Sequence, residues 1–252
     1  MRLKDKVAIV TGGGAGIGEA VARCYAREGA HVVIAEVNPQ TGKANADAIC
    51  KAGGDAVFIQ TDVSREEEVQ AMVSATLARH GRIDILFNNA AVLYFQREAR
   101  AHELSNEVWE RTLAVNLRGY WLCSKYVIPS MLKHGGGSII HVASPTGELG
   151  FTRLTAYSVS KGGIFALMRA MAADYAPDGI RVNAIVPGTM DTPMNAAELS
   201  DGEARKKLIA MAPLGRLGTG EDVCGLAVYL ASEESSYCVG GIFTVDGGLT
   251  AI

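Results

Sequence analysis

Short apolar runs rich in β-branched residues alternate with longer amphipathic stretches along the whole chain. The apolar runs contain few polar positions, which is typical of strands that are buried on both faces of a sheet. They predict seven strands, at residues 7–10, 32–35, 57–59, 83–87, 138–142, 181–186 and 242–245. The amphipathic stretches predict helices at residues 17–28, 39–52, 64–80, 104–133, 153–176 and 220–231.

This alternation predicts βαβ units with right-handed crossovers. The predicted fold class is therefore α/β, a doubly wound parallel sheet of about seven strands with helices on both faces, in three layers. No linker, repeat or low-complexity tract interrupts the pattern, so residues 1–252 are expected to form a single domain. Ser64 and Glu67 predict a capping box for the third helix, and Pro177 with Gly179 predicts the end of the fifth. The Pro- and Gly-punctuated segment 188–219 is a candidate substrate lid.

The charges are nearly balanced, with 24 Lys and Arg against 27 Asp and Glu and a net charge of −3. This balance excludes the basic surface that binding to nucleic acid requires. The absence of a run of about 18 apolar residues argues against a membrane span. Five scattered cysteines and five histidines without ligand spacing predict neither a disulfide framework nor a metal site. A reduced, cytoplasmic location is the resulting expectation.

Glycine is abundant, at 29 of 252 residues, and five of these glycines lie in the segment 12–18 between the first strand and the first helix. A glycine-rich turn at this point lets backbone N–H groups approach a pyrophosphate at the helix N-terminus. The literal G-x-G-x-x-G pattern is absent, so a turn without a ligand is the alternative.

A carboxylate stands at the end of the second predicted strand, where Glu36 lies eighteen residues beyond Gly18. Such a carboxylate accepts hydrogen bonds from the hydroxyls of an adenosine ribose and repels a 2′-phosphate. No Lys or Arg follows within six residues. This arrangement favours NAD over NADP.

Tyr157 and Lys161 are four residues apart at the start of the fifth helix, so they project from one face. Tyrosine has an ordinary pKa of about 10. A nearby lysine ammonium, helped by the positive nicotinamide of an oxidised cofactor, is expected to lower the Tyr157 pKa. Ser144 follows the fifth strand, which places it at the carboxyl edge of the sheet, where ligands of α/β proteins bind. A Tyr-x-x-x-Lys pattern carries little information by itself.

Ordered motifs extend along the chain: TGGGAGIG at 11–18, Asp62-Val63, NNAA at 88–91, Asn116, Ser144, YSVSK at 157–161, PGTMDT at 187–192 and VDGG at 245–248. In this order the motifs resemble the short-chain dehydrogenase/reductase family over essentially all 252 residues, which implies a Rossmann-type fold.

The resemblance implies a catalytic group of four residues. Tyr157 would exchange a proton with the substrate oxygen, and Ser144 would hold the same oxygen. Lys161 would lower the Tyr157 pKa and bind the nicotinamide ribose. Asn116 would support a water chain from Lys161 to solvent through a local break in the fourth helix.

The resemblance also implies the residues that bind the cofactor. They are Gly12, Ile17 and Gly18 for the pyrophosphate, Glu36 for the ribose, Asp62 and Val63 for the adenine, Asn89 for the adenosine side, and Pro187, Met190 and Thr192 for the nicotinamide, together with Tyr157 and Lys161. Related proteins are tetramers, so the long fourth and fifth helices are expected to form a symmetric homotetramer interface.

Aromatic residues and one histidine outside these motifs are expected to be structural. Trp109, Tyr120, Trp121 and Tyr126 are predicted to pack against the core or a neighbouring subunit. His141 is three residues before Ser144 on a strand and therefore points to the opposite face, as a core histidine.

These features predict an NAD-dependent oxidoreductase that interconverts a secondary alcohol and its carbonyl, with a sugar or polyol hydroxyl as one candidate. One alternative is a reductase of 3-oxoacyl thioesters. Such reductases often prefer NADP, which Glu36 opposes. The other alternative is a nucleotide-sensing protein without catalysis, and such proteins typically lack the Tyr157–Lys161 pair.

Overall fold

The computed structural model describes residues 1–251, which contain a seven-stranded parallel sheet in the order β3-β2-β1-β4-β5-β6-β7. The strands are β1 (Val7–Thr11), β2 (His31–Glu36), β3 (Asp55–Gln60), β4 (Ile85–Asn88), β5 (Gly137–Val142), β6 (Ile180–Pro187) and β7 (Ile242–Val245). The strand order reverses between β1 and β4. The α/β prediction of a doubly wound sheet is confirmed.

Nine α-helices of the described chain connect these strands and cover both faces of the sheet. They are α1 (Gly16–Arg27), α2 (Pro39–Lys51), α3 (Glu66–His80), α4 (Asn106–Leu113), α5 (Gly119–Lys133), α6 (Thr155–Tyr175), α7 (Ala196–Leu199), α8 (Gly202–Ala210) and α9 (Gly220–Ala231). Among residues 1–251, no helix has the length and apolarity needed to cross a bilayer.

Two apolar cores lie on opposite faces of the sheet. In β1, Ala8 and Val10 pack with α1, α2 and α9, whereas Ile9 packs with α3, α5 and α6. Successive residues of a strand point to opposite faces, so each strand contributes to both cores. This explains why the strands read as continuous apolar runs.

Of the two predicted helix ends, the structure contradicts one and confirms the other. The capping box of Ser64 and Glu67 is wrong, because α3 begins at Glu66 and Ser64 Oγ instead donates to Asp62 Oδ1 at 2.6 Å. The Ser64 hydroxyl also accepts a hydrogen bond from Arg111, so it is not free to cap a helix. The predicted end of the fifth helix is confirmed, since α6 ends at Tyr175.

The predicted fourth helix, 104–133, is two helices joined by a π-helical turn. The turn spans Ala114–Arg118, between α4 and α5. The lid candidate carries α7 and α8, which the sequence pattern did not predict. The segment 188–219 ends at a capping box at the start of α9, where Thr219 N donates to Asp222 Oδ2 at 2.8 Å.

Candidate active site

Two adjoining cavities of about 360 and 550 Å³ open at the carboxyl edge of the sheet. They share Ile17, Asn89 and Thr192 in their walls, so together they form one cleft. The smaller cavity contains Tyr157 and the larger one contains Glu36. The cleft lies where the strand order reverses, which is the usual ligand site of open α/β sheets.

The three predicted catalytic residues that follow β5 and begin α6 come together in the smaller cavity. Ser144 lies close enough to the Tyr157 side chain to lower its pKa, and Ser144 Oγ accepts a hydrogen bond from Thr146 Oγ1 at 3.0 Å. Lys161 is fully buried, and its Nζ donates to the Val142 carbonyl at 2.8 Å. The Lys161 Nζ lies 5.6 Å from the centre of the Tyr157 ring.

Burial controls the protonation of this group. It raises the pKa of Tyr157 to about 12, although the hydrogen bond with Ser144 acts in the opposite direction. Burial also lowers the pKa of Lys161 to about 7. The expected lowering of the Tyr157 pKa by Lys161 is therefore not found. The reason is that desolvation favours the neutral form of both side chains.

Asn116 lies in the π-helical turn, so the predicted break in the helix is confirmed. Its Oδ1 accepts a hydrogen bond from Val92 N at 2.8 Å, and its Nδ2 donates to Val92 O at 3.0 Å. The Nδ2 also donates to Ser160 Oγ, in the turn of α6 between Tyr157 and Lys161. Asn116 thus connects the segment after β4 to α6 and does not line either cavity.

The glycine-rich loop is held in a shape that only glycine permits. A Cβ on Gly18 would lie 2.2 Å from Gly12 O, and Gly12 itself has a φ of +64°. Asn89 Nδ2 donates to the carbonyls of Thr11 and Gly12, at 3.1 and 3.2 Å. Gly18 therefore shapes the loop from behind, whereas Gly12 and Asn89 reach the cavity wall.

The remaining predicted cofactor residues line the cleft. Ile17, Glu36, Asp62, Val63 and Thr192 line the larger cavity, and Pro187, Met190 and Thr192 line the smaller one. The Glu36 carboxylate accepts hydrogen bonds from Gly14 N at 3.2 Å and from Asn38 N at 3.0 Å. This holds the carboxylate beside the loop that carries the glycines.

The sequence analysis missed Arg111 in the larger cavity. Its Nη2 donates to Asp62 Oδ2 at 3.0 Å. Burial raises the pKa of Asp62, but hydrogen bonds from Ser64 and Arg111 outweigh burial and lower it. The Asp62 charge thus partly neutralises the Arg111 guanidinium. Arg111 carries no periodic signal that marks it as a cavity residue.

The sequence analysis also missed Glu98, which is only 4% exposed. Its Oε2 accepts a hydrogen bond from Ala156 N at 3.1 Å, and its Oε1 accepts one from Tyr157 N at 2.8 Å. Thr155 Oγ1 donates to Ala99 O at 2.8 Å beside it. The segment between β4 and α4 is therefore bound to the first turn of α6 by a buried carboxylate.

The substrate side of the smaller cavity is mostly apolar. Its apolar lining includes Leu93, Phe95, Phe151, Leu154, Met194, Leu208 and Met211. Arg153 and Glu198 are charged members of the same wall. Arg153 has a φ of +58°, a strained conformation for a residue with a side chain. Burial raises the pKa of Glu198.

His141 is structural, as predicted. It is fully buried and packs 5.6 Å from the Tyr120 ring, with its Nδ1 3.2 Å from Asn88 Nδ2. Burial, aided by the Lys161 charge, lowers the pKa of His141 to about 3. No group of His, Cys, Asp and Glu side chains within residues 1–251 is arranged to hold a metal ion.

The four aromatic residues of the fourth predicted helix divide into two pairs. Tyr120 is buried in the core, and Tyr126 hydrogen-bonds to Gln70 and Glu66. Trp109 and Trp121 are 37% and 44% exposed and lie on one apolar hollow. Leu113, Leu117, Gly163 and Leu167 complete this hollow. The prediction that these residues pack against the core is therefore confirmed for Tyr120.

Known proteins resemble this chain over nearly its whole length. A family model described as enoyl-(acyl carrier protein) reductase matches residues 12–250. An uncharacterized oxidoreductase of Bacillus subtilis is 44% identical over 99% of this chain and 93% of its own length. The cis-4-hydroxycyclohexanecarboxylate dehydrogenase of Sinomonas cyclohexanicum is 39% identical over 98% of each chain.

Solved structures share the fold as well as the sequence. One is described as an NAD(P)-dependent gluconate 5-dehydrogenase from Beutenbergia cavernae with NADP bound at low occupancy. It has a TM-score of 0.93 and 38% identity, and the match covers 99% of this chain and 98% of that chain.

Proposed function

The chain belongs to the short-chain dehydrogenase/reductase family, and we propose that it interconverts a secondary alcohol and its carbonyl with NAD, using Tyr157 as the acid/base. One observation carries the proposal. Tyr157 and Ser144 line the same cavity, and Lys161 Nζ lies close to the Tyr157 ring. A proton donor and a second hydrogen-bonding group thus face one point in a partly apolar site, as reduction of a carbonyl requires.

The residues of the larger cavity fit a dinucleotide. The approach of Gly18 to Gly12 leaves no room for a side chain, so the loop backbone stays accessible beside the start of α1. A helix N-terminus with accessible N–H groups attracts phosphate. When bound, NAD supplies the hydride acceptor for oxidation of the alcohol and, as NADH, the hydride for the reverse reaction.

Residues of the chain transfer the proton of the substrate hydroxyl. In reduction, the neutral Tyr157 phenol, whose pKa burial raises, donates its proton to the carbonyl oxygen that Ser144 holds. In oxidation, the Tyr157 phenol first gives its own proton to the Lys161 amine, whose neutral form burial favours and which lies one turn away on α6. The resulting phenolate then takes the proton from the alcohol. Asn116 holds the segment that packs against this turn. We assign the route of the proton to solvent to Lys161 and Asn116.

A preference for NAD over NADP is the next part of the proposal. Glu36 supports it, because its carboxylate is fixed beside the phosphate loop and would repel a 2′-phosphate. Arg111 is a cation of the same cavity, but Asp62 already pairs with it. A solved relative has NADP bound, so a preference for NADP is the alternative. The ratio of kcat/KM with NAD to kcat/KM with NADP distinguishes the two.

For the substrate we propose a secondary alcohol on a ring that carries a polar or anionic group. The apolar wall of the smaller cavity supports the ring, and Arg153 supports the polar group. The relative that acts on a hydroxycyclohexanecarboxylate agrees with this chemistry. A sugar acid or polyol is the second candidate, which the solved gluconate 5-dehydrogenase relative favours.

A screen of NAD reduction tests this assignment. It compares cyclohexanols with and without a carboxylate, aldoses, polyols, aliphatic secondary alcohols and hydroxyacyl thioesters. We expect the highest kcat/KM with the ring alcohols that carry a carboxylate. Activity confined to the thioesters would instead identify a 3-oxoacyl-thioester reductase, and silence with every class in the presence of tight NADH binding would support a sensing protein.

We further propose a single-domain, cytoplasmic homotetramer with residues 188–219 as the substrate lid. The exposed Trp109 and Trp121 hollow on α4, α5 and α6 supports the tetramer, because a second copy would cover it. The position of α7 and α8, whose neighbours Met194 and Met211 line the smaller cavity, supports the lid. The five free thiols are compatible with a reducing compartment.

A further inference from the structure

Two cysteines that are 200 residues apart in the sequence meet where α1 packs against α9. Their side chains, on Cys24 and Cys224, interact closely enough for each thiol to shift the pKa of the other. The Cys224 thiol also donates to Gly220 O at 3.5 Å. Cys224 is buried, whereas Cys24 is partly exposed to solvent. The catalytic arrangement described above uses neither thiol.

Helices α1 and α9 approach each other very closely near this point. One turn before the thiols, a Cβ on Gly220 would lie 2.7 Å from the Ala20 Cβ and 2.9 Å from Gly16 O. A disulfide needs Cβ atoms about 3.5–4.5 Å apart. Facing positions one turn away are closer than this, which is compatible with a sulfur–sulfur bond between Cys24 and Cys224.

Further contacts hold the junction in place on both sides of the thiols. Tyr25 Oη donates to Ala227 O at 3.2 Å, and Arg27 pairs with Glu221 at 3.2 Å. The thiols therefore face each other in a packed interface rather than across a loose surface. Little movement of either helix is needed to join them.

The surroundings make Cys24 the more nucleophilic thiol. The hydrogen bond from Cys224 lowers the pKa of Cys24, burial opposes this, and the Arg27 guanidinium adds to the lowering. Glu221 raises the Cys24 pKa by a smaller amount. The hydrogen bond with Cys24, together with burial, raises the pKa of Cys224. Cys24 is thus the thiolate and Cys224 is the resolving thiol, as in redox-sensitive pairs.

We propose that Cys24 and Cys224 form a hydroperoxide-sensitive pair that closes to a disulfide between α1 and α9. The Cys24 thiolate attacks the peroxide, the O–O bond breaks, and one oxygen becomes a sulfenic hydroxyl while the other leaves with a proton as water or alcohol. The Cys224 sulfur then attacks the Cys24 sulfur, and the displaced hydroxide takes the Cys224 proton as water. The two thiols lose two electrons and the peroxide gains them.

The disulfide would act on the cleft through the two helices that it joins. Helix α1 follows the glycine-rich loop, and α9 begins where the lid segment 188–219 ends. Gly220 already touches Gly16, so the bond would fix the end of the lid to the start of the dinucleotide site. We expect a lower kcat, since lid movement often limits product release. This consequence rests on the proposed function, whereas the disulfide does not.

The experiment treats the reduced full-length protein with one to two equivalents of hydrogen peroxide. Free thiols are then titrated, and non-reduced peptides are mapped by mass spectrometry. We expect the loss of two thiols, a Cys24–Cys224 peptide pair, and three thiols that stay reduced. In Cys224→Ala, a dimedone adduct should accumulate on Cys24, and Cys24→Ala should leave Cys224 unmodified.

Cys50 provides the matched control, because it is the most exposed cysteine and lies on α2, outside the pair. Cys50→Ser should behave like the wild type. Oxidation of Cys50 ahead of Cys24, or a peptide map without the Cys24–Cys224 pair, would overturn the proposal.

Turnover separates the modification from its consequence. We expect the oxidised wild type to lose at least half of its kcat and to regain it with dithiothreitol, while peroxide-treated Cys24→Ala keeps its kcat. A mapped disulfide with unchanged kcat would refute the coupling to the lid. Absence of any dehydrogenase activity in the reduced protein would refute the proposed function and leave the mapped disulfide intact.

Discussion

Glu98 provides the sharpest test of how the segment after β4 controls the catalytic helix. Its buried carboxylate accepts hydrogen bonds from two backbone N–H groups at the start of α6, on Ala156 and Tyr157. Substitution Glu98→Ala leaves both donors buried and without this acceptor. An unsatisfied buried N–H costs about 1–3 kcal/mol, and loss of a helix cap costs about 1 kcal/mol.

We therefore expect Glu98→Ala to lower the free energy of unfolding by about 2–4 kcal/mol, or Tm by about 5–10 °C for a chain of this size. Glu98→Gln keeps one carbonyl oxygen and should lose about half as much. Because one of the donors is Tyr157 N, kcat should fall more strongly than the affinity for NADH. Thermal denaturation, steady-state kinetics and NADH titration measure these three quantities.

Glu103→Ala is the matched control, since Glu103 lies in the same segment but is 40% exposed, with its ion pairs at 3.7–4.0 Å. Such exposed pairs contribute at most about 1 kcal/mol, so its Tm and kcat should stay close to those of the wild type. Equal Tm and kcat for Glu98→Ala and Glu103→Ala would refute the positioning role of Glu98.

Three further predictions concern the cofactor, pH and assembly. Glu36→Ala should narrow the preference for NAD over NADP in kcat/KM, and an unchanged ratio would remove Glu36 from cofactor selection. Because burial lowers the pKa of His141 to about 3, the unfolded state binds a proton between pH 6.5 and 3 that the folded state excludes. Stability should therefore fall with decreasing pH by about 1.4 kcal/mol per pH unit more than in His141→Phe. Parallel pH profiles of the two proteins would contradict this. Trp121→Glu should reduce the mass in light scattering at micromolar protein, and an unaltered mass would exclude the Trp109–Trp121 hollow as the interface.

The architecture was predictable because its signal is local. Each strand contributes side chains to two cores, as Ala8 and Ile9 do in β1, so the strands appear in the sequence as apolar runs. The glycine-rich loop was also predictable, because a close backbone approach requires glycines at fixed positions. Tyr157 and Lys161 were predictable because residues four apart lie on the same face of a helix.

Features that depend on long-range contacts were not predictable. Glu98 bonds to residues 58 and 59 positions away, and the Cys24–Cys224 contact depends on the packing of α1 against α9. The Ser64 capping box failed because Asp62 and Arg111 bind the same hydroxyl. The rise that burial causes in the Tyr157 pKa was not predicted, since burial could not be judged from spacing.

Tyr157→Phe tests the central claim most directly, because it removes one oxygen and keeps the buried ring. General acid–base catalysis contributes about 10²–10⁴-fold to a rate. The account predicts a loss of turnover of this size with the best alcohol of the screen, together with an NADH dissociation constant close to that of the wild type. Turnover within tenfold of the wild type, with the same NADH affinity, would contradict the assignment of Tyr157 as the acid/base.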